Sequence, residues 1–140
     1  MALGGYLSQI FFKTTNAAPS GTDEPAGIKK INGTPKRDLG DATDFKNNAG
    51  AKARIPLLLD AAPTCSGDYL SGDTVQQLVR ASLLNGTLLY CTIYADPSAG
   101  AGNKGFQFPV YIESVSIDDA VDGVVQTTIT TGLSGLPVAI

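Results

Sequence analysis

Three aspartates in the turn DDAVDG come closest to a chemical site in this chain: Asp118, Asp119 and Asp122. Closely spaced carboxylates can bind a divalent cation such as Ca²⁺. A calcium loop of the EF-hand type, however, needs more oxygen ligands at set positions and a closing Glu, which this turn lacks. We therefore interpret the turn as an acidic surface segment, available for contacts between subunits, and predict no metal site.

A second charged segment lies in the first third of the chain and combines basic with acidic residues. Basic clusters are typical of proteins that bind nucleic acid. Here acidic residues follow at once and aromatic neighbours are few, so we predict a loop that faces solvent or another subunit and has no dedicated DNA-binding role. The residues concerned are Lys29, Lys30, Lys36, Arg37, Asp38, Asp41, Asp44 and Phe45.

The composition argues against an enzyme. The chain has no His, so neither a Ser-His-Asp nor a Cys-His arrangement can form. Cys65 and Cys91 stand alone, without the spacing of a metal site or a disulfide framework. No Gly-rich segment ends in the GK[ST] of a phosphate-binding loop. We predict no catalytic residues and no cofactor.

Length and charge indicate one domain that contacts other subunits. A chain of 140 residues is most simply a single domain, residues 1–140. Charged residues make up 16%, which is low for a protein that must stay monomeric. Residues 1–60 hold eight basic and six acidic residues, whereas residues 61–140 hold two and seven. Opposite net charges of this kind can attract copies of one chain head to tail.

The start of the chain, MALGGYLSQIFFK, lacks the basic region of a signal peptide. No apolar run reaches the ~18 residues of a membrane helix. We therefore expect a soluble protein of cytosolic origin that does not enter a membrane.

Most of the chain has the residue pattern of strands. Strands are expected at 7–15, 27–31, 53–59 and 87–95, with an edge or a bulge at Pro56. A helix is expected from Asp73, a natural N-cap, to Asn85, where Gly86 ends it. Its apolar face holds Val75, Leu78, Val79 and Leu83, with Gln76, Gln77 and Arg80 elsewhere. Residues 32–52 are expected to form a long loop and 61–71 a turn-rich segment.

The last quarter predicts a long hairpin, with strands at 106–117 and 124–132 around the acidic turn. Phe108, Val110 and Ile112 have even numbers but Val115 and Ile117 odd ones, which indicates a β-bulge near Glu113–Ser114. We expect the bulge to turn Phe106–Ile112 and Val115–Ile117 towards different partners, one the core and the other a neighbouring subunit. The fold class that follows is mainly β: two packed antiparallel sheets, as a sandwich or barrel, with one flanking helix at about 73–85.

Residues 90–135, above all FPVYIESVSIDDAVDGVVQTTITTGLSG, resemble the tail tube proteins of tailed bacteriophages. The resemblance lies in the long hairpin, its closing strand VQTTITT with the following Gly, and the helix before a strand. It implies six-copy rings whose inner sheets join into one barrel around a lumen, stacked into a tube that carries the genome. It also implies a virion tail location, assembly in the host cytoplasm, and a tape-measure protein, a tail terminator, baseplate or tip proteins and possibly a sheath as partners.

Under this resemblance the loop at 32–52 would contact the adjacent ring or subunit. The polar face of the hairpin would line the lumen and let DNA pass without specific binding. Our candidates for that face are Glu113, Gln126, Thr128 and Thr130. The extended apolar tail at 133–140 would be covered on assembly through Leu133, Leu136, Pro137, Val138 and Ile140.

Two other functions fit the same pattern of strands. A β-sandwich binding or decoration module would recognise a carbohydrate or a host surface, although the absence of Trp leaves little for a sugar platform. The tube protein of a related contractile injection device would share the fold and differ only in its setting.

Overall fold

A computed structural model describes residues 8–33, 35–41, 54–119 and 123–140. Within these ranges the protein is mainly β with one α-helix, as predicted. The helix is α1 (Thr74–Asn85), and the strands are β1 (Gln9–Lys13), β2 (Ile28–Asn32), β3 (Lys36–Asp41), β4 (Arg54–Asp60), β5 (Thr64–Asp68), β6 (Leu89–Tyr94), β7 (Gly105–Asp119), β8 (Val125–Leu133) and β9 (Val138–Ala139).

Seven of these strands form one antiparallel sheet. Its order is β1-β6-β7-β8-β5-β2, and β9 pairs with β7 beside this path. The sheet curls into a half-barrel, which brings Gly33, just after β2, against the side chain of Ile93 in β6. Strands β3 and β4 form a separate two-stranded sheet. The prediction of two packed sheets is therefore right only in part, because β2 and β5 continue the large sheet and leave the second one small.

The long hairpin and its bulge are confirmed. The pairing of β7 with β8 shifts register between Ile112 and Ser114, so Glu113 is the extra residue. The extra residue absorbs the change from even to odd numbers in the sequence. The apolar residues before and after the bulge therefore lie on the same face of the sheet. Val115 accordingly packs against the same core as Ile112. The expectation that the two segments would turn towards different partners, the core and a neighbouring subunit, is therefore wrong for Val115.

Helix α1 begins and ends where predicted. The Asp73 carboxylate accepts a 2.9 Å hydrogen bond from the Gln76 backbone N–H, and Gly86 ends the helix in the left-handed conformation. Val75 and Val79 are buried in the core, as expected. Gln76, predicted to lie off the packed face, is only 1% exposed. No helix in the described ranges combines the length and apolar character needed to cross a bilayer.

The turn-rich segment predicted at 61–71 contains strand β5, which lies inside the large sheet between β8 and β2. From the sequence, Gly67 is typical of a turn, but in the structure this strand position requires glycine because the backbone of Gly27 packs closely against it. A Cβ at this position would lie 2.1 Å from the carbonyl oxygen of Gly27. A bulge of β2, between Ile28 and Lys30, lies next to this contact.

The loop predicted at 32–52 is wrong at its start. Lys36–Asp41 form β3, which pairs with β4 although the sequence KRDLGD has no clear alternation. Pairing with the apolar strand β4 stabilises β3 as a strand, although its own sequence does not predict one. The register irregularity of this pair falls next to Pro56, which confirms the bulge expected there. Residues 42–52 of the predicted loop lie outside the described residues.

Candidate functional site

Polar side chains of three neighbouring strands share one face of the large sheet. In β8, the buried residues Thr127, Ile129 and Thr131 alternate with Gln126, Thr128 and Thr130, which are half-exposed on the opposite face. Cross-strand pairing adds polar residues of β5 and β7 to this second face. We call it the hydroxyl face; it comprises Thr64, Ser66, Asp68, Ser114, Ser116, Asp118, Gln126, Thr128 and Thr130.

The hydroxyl face has three rows of cross-strand neighbours, and its negative charge lies in one of them. Two rows are uncharged. The third row carries two carboxylates and lies beside the end of the hairpin. The rows are Thr64–Thr130–Ser114, Ser66–Thr128–Ser116 and Asp68–Gln126–Asp118. The face is therefore neutral over the first two rows and negative at one end, and the exposed Lys30 of β2 lies beside Ser66 at its margin.

Local contacts balance one of the two carboxylates. Lys29 Nζ lies 3.2 Å from Asp68 Oδ1, and the Gln126 side chain donates a 3.1 Å hydrogen bond to the same oxygen. Asp118 accepts a longer hydrogen bond, 3.4 Å, from the Ser116 hydroxyl. Because Asp118 is exposed and has no ion pair among the described residues, it contributes most of the uncompensated charge.

The structure brings together three of the four lumen candidates. Gln126, Thr128 and Thr130 are neighbours on the hydroxyl face, whereas Glu113 is the exposed bulge residue without a cross-strand partner. Sequence reasoning missed Thr64 and Ser66 because the segment reads as a turn. The usable signal was alternation in TCSGD, whose polar residues lie on one face and whose Cys and Gly lie on the buried one.

The basic and acidic loop candidates lie in two different sheets. Lys29 and Lys30 belong to β2 of the large sheet, so they are strand residues and not part of a loop. Lys36, Arg37, Asp38 and Asp41 lie in β3 and are exposed. Asp44 and Phe45 lie outside the described residues. Leu39 of β3 is also exposed, at 53%, which gives this small sheet an apolar contact point.

The acidic turn leaves Asp118 and Asp119 exposed at the end of β7, and Asp122 lies outside the described residues. In the described ranges, no group of three His, Cys, Asp or Glu residues could hold a metal ion. Both thiols are buried. Burial raises the pKa of Cys65 from 9.0 to about 12 and that of Cys91 well above 9.0, with a smaller contribution from the Cys65 charge. Thiols with such pKa values are poor nucleophiles at neutral pH.

The C-terminal tail folds back on its own sheet. The carbonyl oxygen of Ile140 accepts hydrogen bonds from the backbone N–H groups of Lys104 and Gly105, at 2.8 and 3.1 Å. Leu133 packs against the core, whereas Leu136 and Val138 are 69% and 53% exposed. Pro137 lies just before β9, outside any regular pairing. The tail is thus tethered through its backbone while it presents apolar side chains to solvent.

Comparison with known proteins gives matches in structure but not in sequence. No protein-family model matches the chain, and neither does any curated protein. The tail of an empty GTA particle, refined with C6 symmetry, matches with a TM-score of 0.75 and 14% identity over 99% of both chains. The SPP1 tail tube matches with a TM-score of 0.68 and 18% identity, over 99% of this chain and 80% of that one.

A tube of a different kind of particle matches as well. The sheath-tube complex of an extracellular contractile injection system, PVC, has a TM-score of 0.60 and 14% identity, over 99% of this chain and 93% of that one. Identities this low establish the fold alone. At that level the similarity suggested by the hairpin is confirmed.

Proposed function

We propose that this chain, which has the fold of tail tube proteins, is a structural subunit that self-assembles into stacked rings and forms the tail tube of a phage or phage-like particle. The observation that carries the proposal is the match to the tail of a GTA particle over 99% of both chains, with a TM-score of 0.75. Two apolar residues close together in the C-terminal tail support it, because Leu136 and Val138 are 69% and 53% exposed and assembly would cover them.

The test of assembly is negative-stain microscopy of the purified full-length protein over a range of salt concentrations. We expect hollow rings or tubes, six copies to a ring, that shorten or dissociate as salt screens the contacts between charged surfaces. A protein that remains monomeric at high concentration in both low and high salt would contradict the proposal, and would favour the binding-module alternative.

The hydroxyl face would line the lumen. Ser and Thr hydroxyls and the Gln126 amide offer water many hydrogen bonds, while they offer phosphate no positive charge. The exposed carboxylate of Asp118 repels phosphate, and Lys29 is held by Asp68, so positive charge is confined to Lys30 beside Ser66, at the margin of the face. Since affinity for DNA comes mainly from cations set against phosphates, DNA would slide along this face without stopping.

A single new thiol tests which face lines the lumen. Thr128→Cys places a half-exposed thiol on the hydroxyl face, while the two native thiols are buried and serve as the unlabelled background. We expect a maleimide on a polymer too wide to enter the tube to label Thr128→Cys in dissociated subunits but not in intact tubes. Equal labelling in both forms would place the face outside the lumen. Wild-type protein, treated in the same way, is the control.

The tail and the β3–β4 sheet would make contacts between subunits or between rings. Leu136 and Val138 expose apolar side chains, while the backbone of the tail stays bonded to its own sheet. The double variant Leu136→Ser and Val138→Ser should therefore keep the fold and lose assembly. Thr87→Ala, a change at an exposed site outside the tail, is the control. Tubes of normal length and stability from the double variant would exclude the tail as an assembly element.

A tape-measure protein inside the tube, a terminator and baseplate or tip proteins at its ends would be the further partners. A contractile injection device is the second candidate setting, and the match to the PVC sheath-tube complex favours it, although less strongly at a TM-score of 0.60. A sheath gene beside the gene for this chain would favour a contractile particle. Particle preparations that carry this chain but no sheath protein would exclude it.

A further inference from the structure

A hollow lies in the hydroxyl face, at its margin beside strand β2. Its volume is about 260 Å³. One water molecule occupies about 30 Å³ in the liquid, so a small polyatomic ion fits into the hollow together with water. Five polar residues line it, and Cys65, whose side chain belongs to the core, completes the lining. The polar residues are Lys30, Asn32, Thr64, Ser66 and Thr128.

Cross-strand pairing brings these side chains together within one protomer. Lys30 of β2 is the neighbour of Ser66 in β5, and Ser66 is the neighbour of Thr128 in β8. Asn32 and Thr64 pair with each other in the next row. Directly opposed side chains have Cβ atoms about 4.5–5.5 Å apart, so one ammonium group and three hydroxyl groups lie around the same hollow.

The ammonium group of Lys30 has no counter-charge in the described part of the chain. Strand β2 has a bulge between Ile28 and Lys30, and a bulge sets two residues of one strand opposite one residue of the other. Lys29 Nζ lies 3.2 Å from Asp68 Oδ1, to which Gln126 also donates a hydrogen bond. The neighbouring carboxylate is thus already paired with the first of two consecutive lysines, and the second lysine is exposed without an ion pair.

The hydroxyl groups at the hollow are available as hydrogen-bond donors. On the buried face of β8, by contrast, the Thr131 hydroxyl donates a 2.7 Å hydrogen bond to the Pro63 carbonyl oxygen. Thr64, Ser66 and Thr128 are half-buried, and their hydroxyl groups form no hydrogen bond to another described residue. Each can therefore donate to an oxygen atom of a ligand.

This set of groups favours an oxyanion. Hydrogen bonds to an ionised oxygen are about twice as strong as those between neutral groups, and lysine commonly binds phosphate as a point charge. A divalent cation would need carboxylate or carbonyl ligands, and no carboxylate lines the hollow. A sugar would leave the ammonium group without a counter-charge, and the lining offers no aromatic ring for it to stack on.

We propose that this hollow binds a phosphate group, with Lys30 as its charged ligand and the hydroxyl groups of Thr64, Ser66 and Thr128 as hydrogen-bond donors. The site belongs to a single protomer and goes beyond the proposed function. Its occupant would be free phosphate or, where the hydroxyl face lines a lumen, a phosphodiester of the passing DNA; only the second occupant rests on the proposed function. A contact through one cation in each copy is weak and is screened by salt, which is compatible with the movement of DNA along the face.

Phosphorus NMR of inorganic phosphate tests the site in the full-length protein, at an ionic strength held constant with sodium chloride. The phosphate signal should broaden in a saturable way as protein is added. Lys30→Gln should raise the Kd for phosphate by at least about tenfold, because a charge-assisted hydrogen bond is lost. Thr128→Val, which removes one hydroxyl donor, should raise the Kd by about two- to tenfold.

Lys36→Gln is the matched control, since it removes an exposed lysine of β3, outside the hydroxyl face. It should bind phosphate as the wild type does, and all variants should keep the circular dichroism spectrum of the wild type. Equal broadening by wild type and by Lys30→Gln would overturn the site.

Dimethyl phosphate, a diester like the DNA backbone, distinguishes the two occupants. Displacement of inorganic phosphate from the wild-type protein by dimethyl phosphate would support a contact with DNA. Binding of inorganic phosphate that depends on Lys30, without displacement by the diester, would overturn the contact with DNA and support free phosphate as the occupant. Phosphate binding by a protein that forms no rings would overturn the proposed function and leave the site standing. Rings without phosphate binding would overturn the site alone.

Discussion

The side-chain amide of Gln76 in α1 donates a 2.9 Å hydrogen bond to the carbonyl oxygen of Ala26, fifty positions earlier in the chain. The same amide nitrogen donates to the carbonyl of Asp68 at 3.0 Å, and its oxygen accepts from the Leu70 N–H at 3.1 Å. One buried side chain thus joins the helix, the end of β5 and the segment before β2. Because Ala26 lies just before β2, Gln76 also fixes the start of this edge strand relative to the helix.

Replacing Gln76 by Leu should destabilise the protein by about 2–4 kcal/mol, because each buried polar group left without a partner costs about 1–3 kcal/mol. Unfolding in urea measures the change. Gln77→Leu is the matched control. Because Gln77 is exposed, this substitution should change the free energy of unfolding by no more than about 0.5 kcal/mol. Equal changes in the free energy of unfolding for the two variants would show that the buried hydrogen bonds of Gln76 contribute no more to stability than the exposed side chain of Gln77.

Gly67→Ala should destabilise the large sheet by about 2 kcal/mol or more, since crowding in a packed site costs about 1–3 kcal/mol. The new Cβ would meet backbone atoms, 2.1 Å from the Gly27 oxygen and 2.7 Å from Ile28 Cα, and backbone cannot move aside as a side chain can. Gly132→Ala is the control, because nothing lies within 4 Å of a Cβ there. It should be neutral or stabilise by about 0.4–1 kcal/mol. Thermal unfolding of both variants gives the comparison.

Deleting Glu113 should leave the protomer folded and disturb the ring. Without this residue, Ile112 and Ser114 follow each other in regular alternation, and all the cross-strand pairs of β7 with β8 can persist. The local twist that a bulge adds is lost, which changes the direction of residues 114–119 relative to the rest of the sheet. We expect a native circular dichroism spectrum with rings absent or of altered diameter by microscopy. Glu113→Gln, which keeps the bulge, should give normal rings; normal rings from the deletion as well would exclude a role for the bulge in assembly.

Stability should fall at alkaline pH through the buried thiols. The Cys65 pKa rises from 9.0 to about 12 on folding, so above pH 9 the unfolded chain releases a proton that the folded one retains. The stabilisation is complete below pH 9 and is lost as pH rises from 9 towards 12, with a slope of up to about 1.4 kcal/mol per pH unit. Urea unfolding of wild type and of Cys65→Ala between pH 8 and 10.5 checks this. Parallel slopes for the two proteins would contradict it.

Local patterns in the sequence predicted several elements well. The hairpin with its bulge at Glu113 follows from the change of phase in the apolar residues, and the limits of α1 follow from Asp73 and Gly86. These features depend on alternation, on capping and on backbone conformations that neighbouring residues set among themselves. The helix face was predicted less well, because Gln76 is polar by type and becomes a core residue only through acceptors on three distant segments.

The candidate site depended still more on tertiary structure. The sequence by itself determined a mainly β chain, a polar strand with Gln126, Thr128 and Thr130 on one face, and the absence of histidine chemistry. Only the tertiary structure decided that Thr64 and Ser66 complete that face, that Lys29 and Lys30 lie on an edge strand, and that β8 is the one described strand with which residues 111–119 of β7 pair. The physical reason is that strand order and register arise from pairing between residues far apart in the chain, such as Ser66 with Thr128, and no local pattern encodes such a partner.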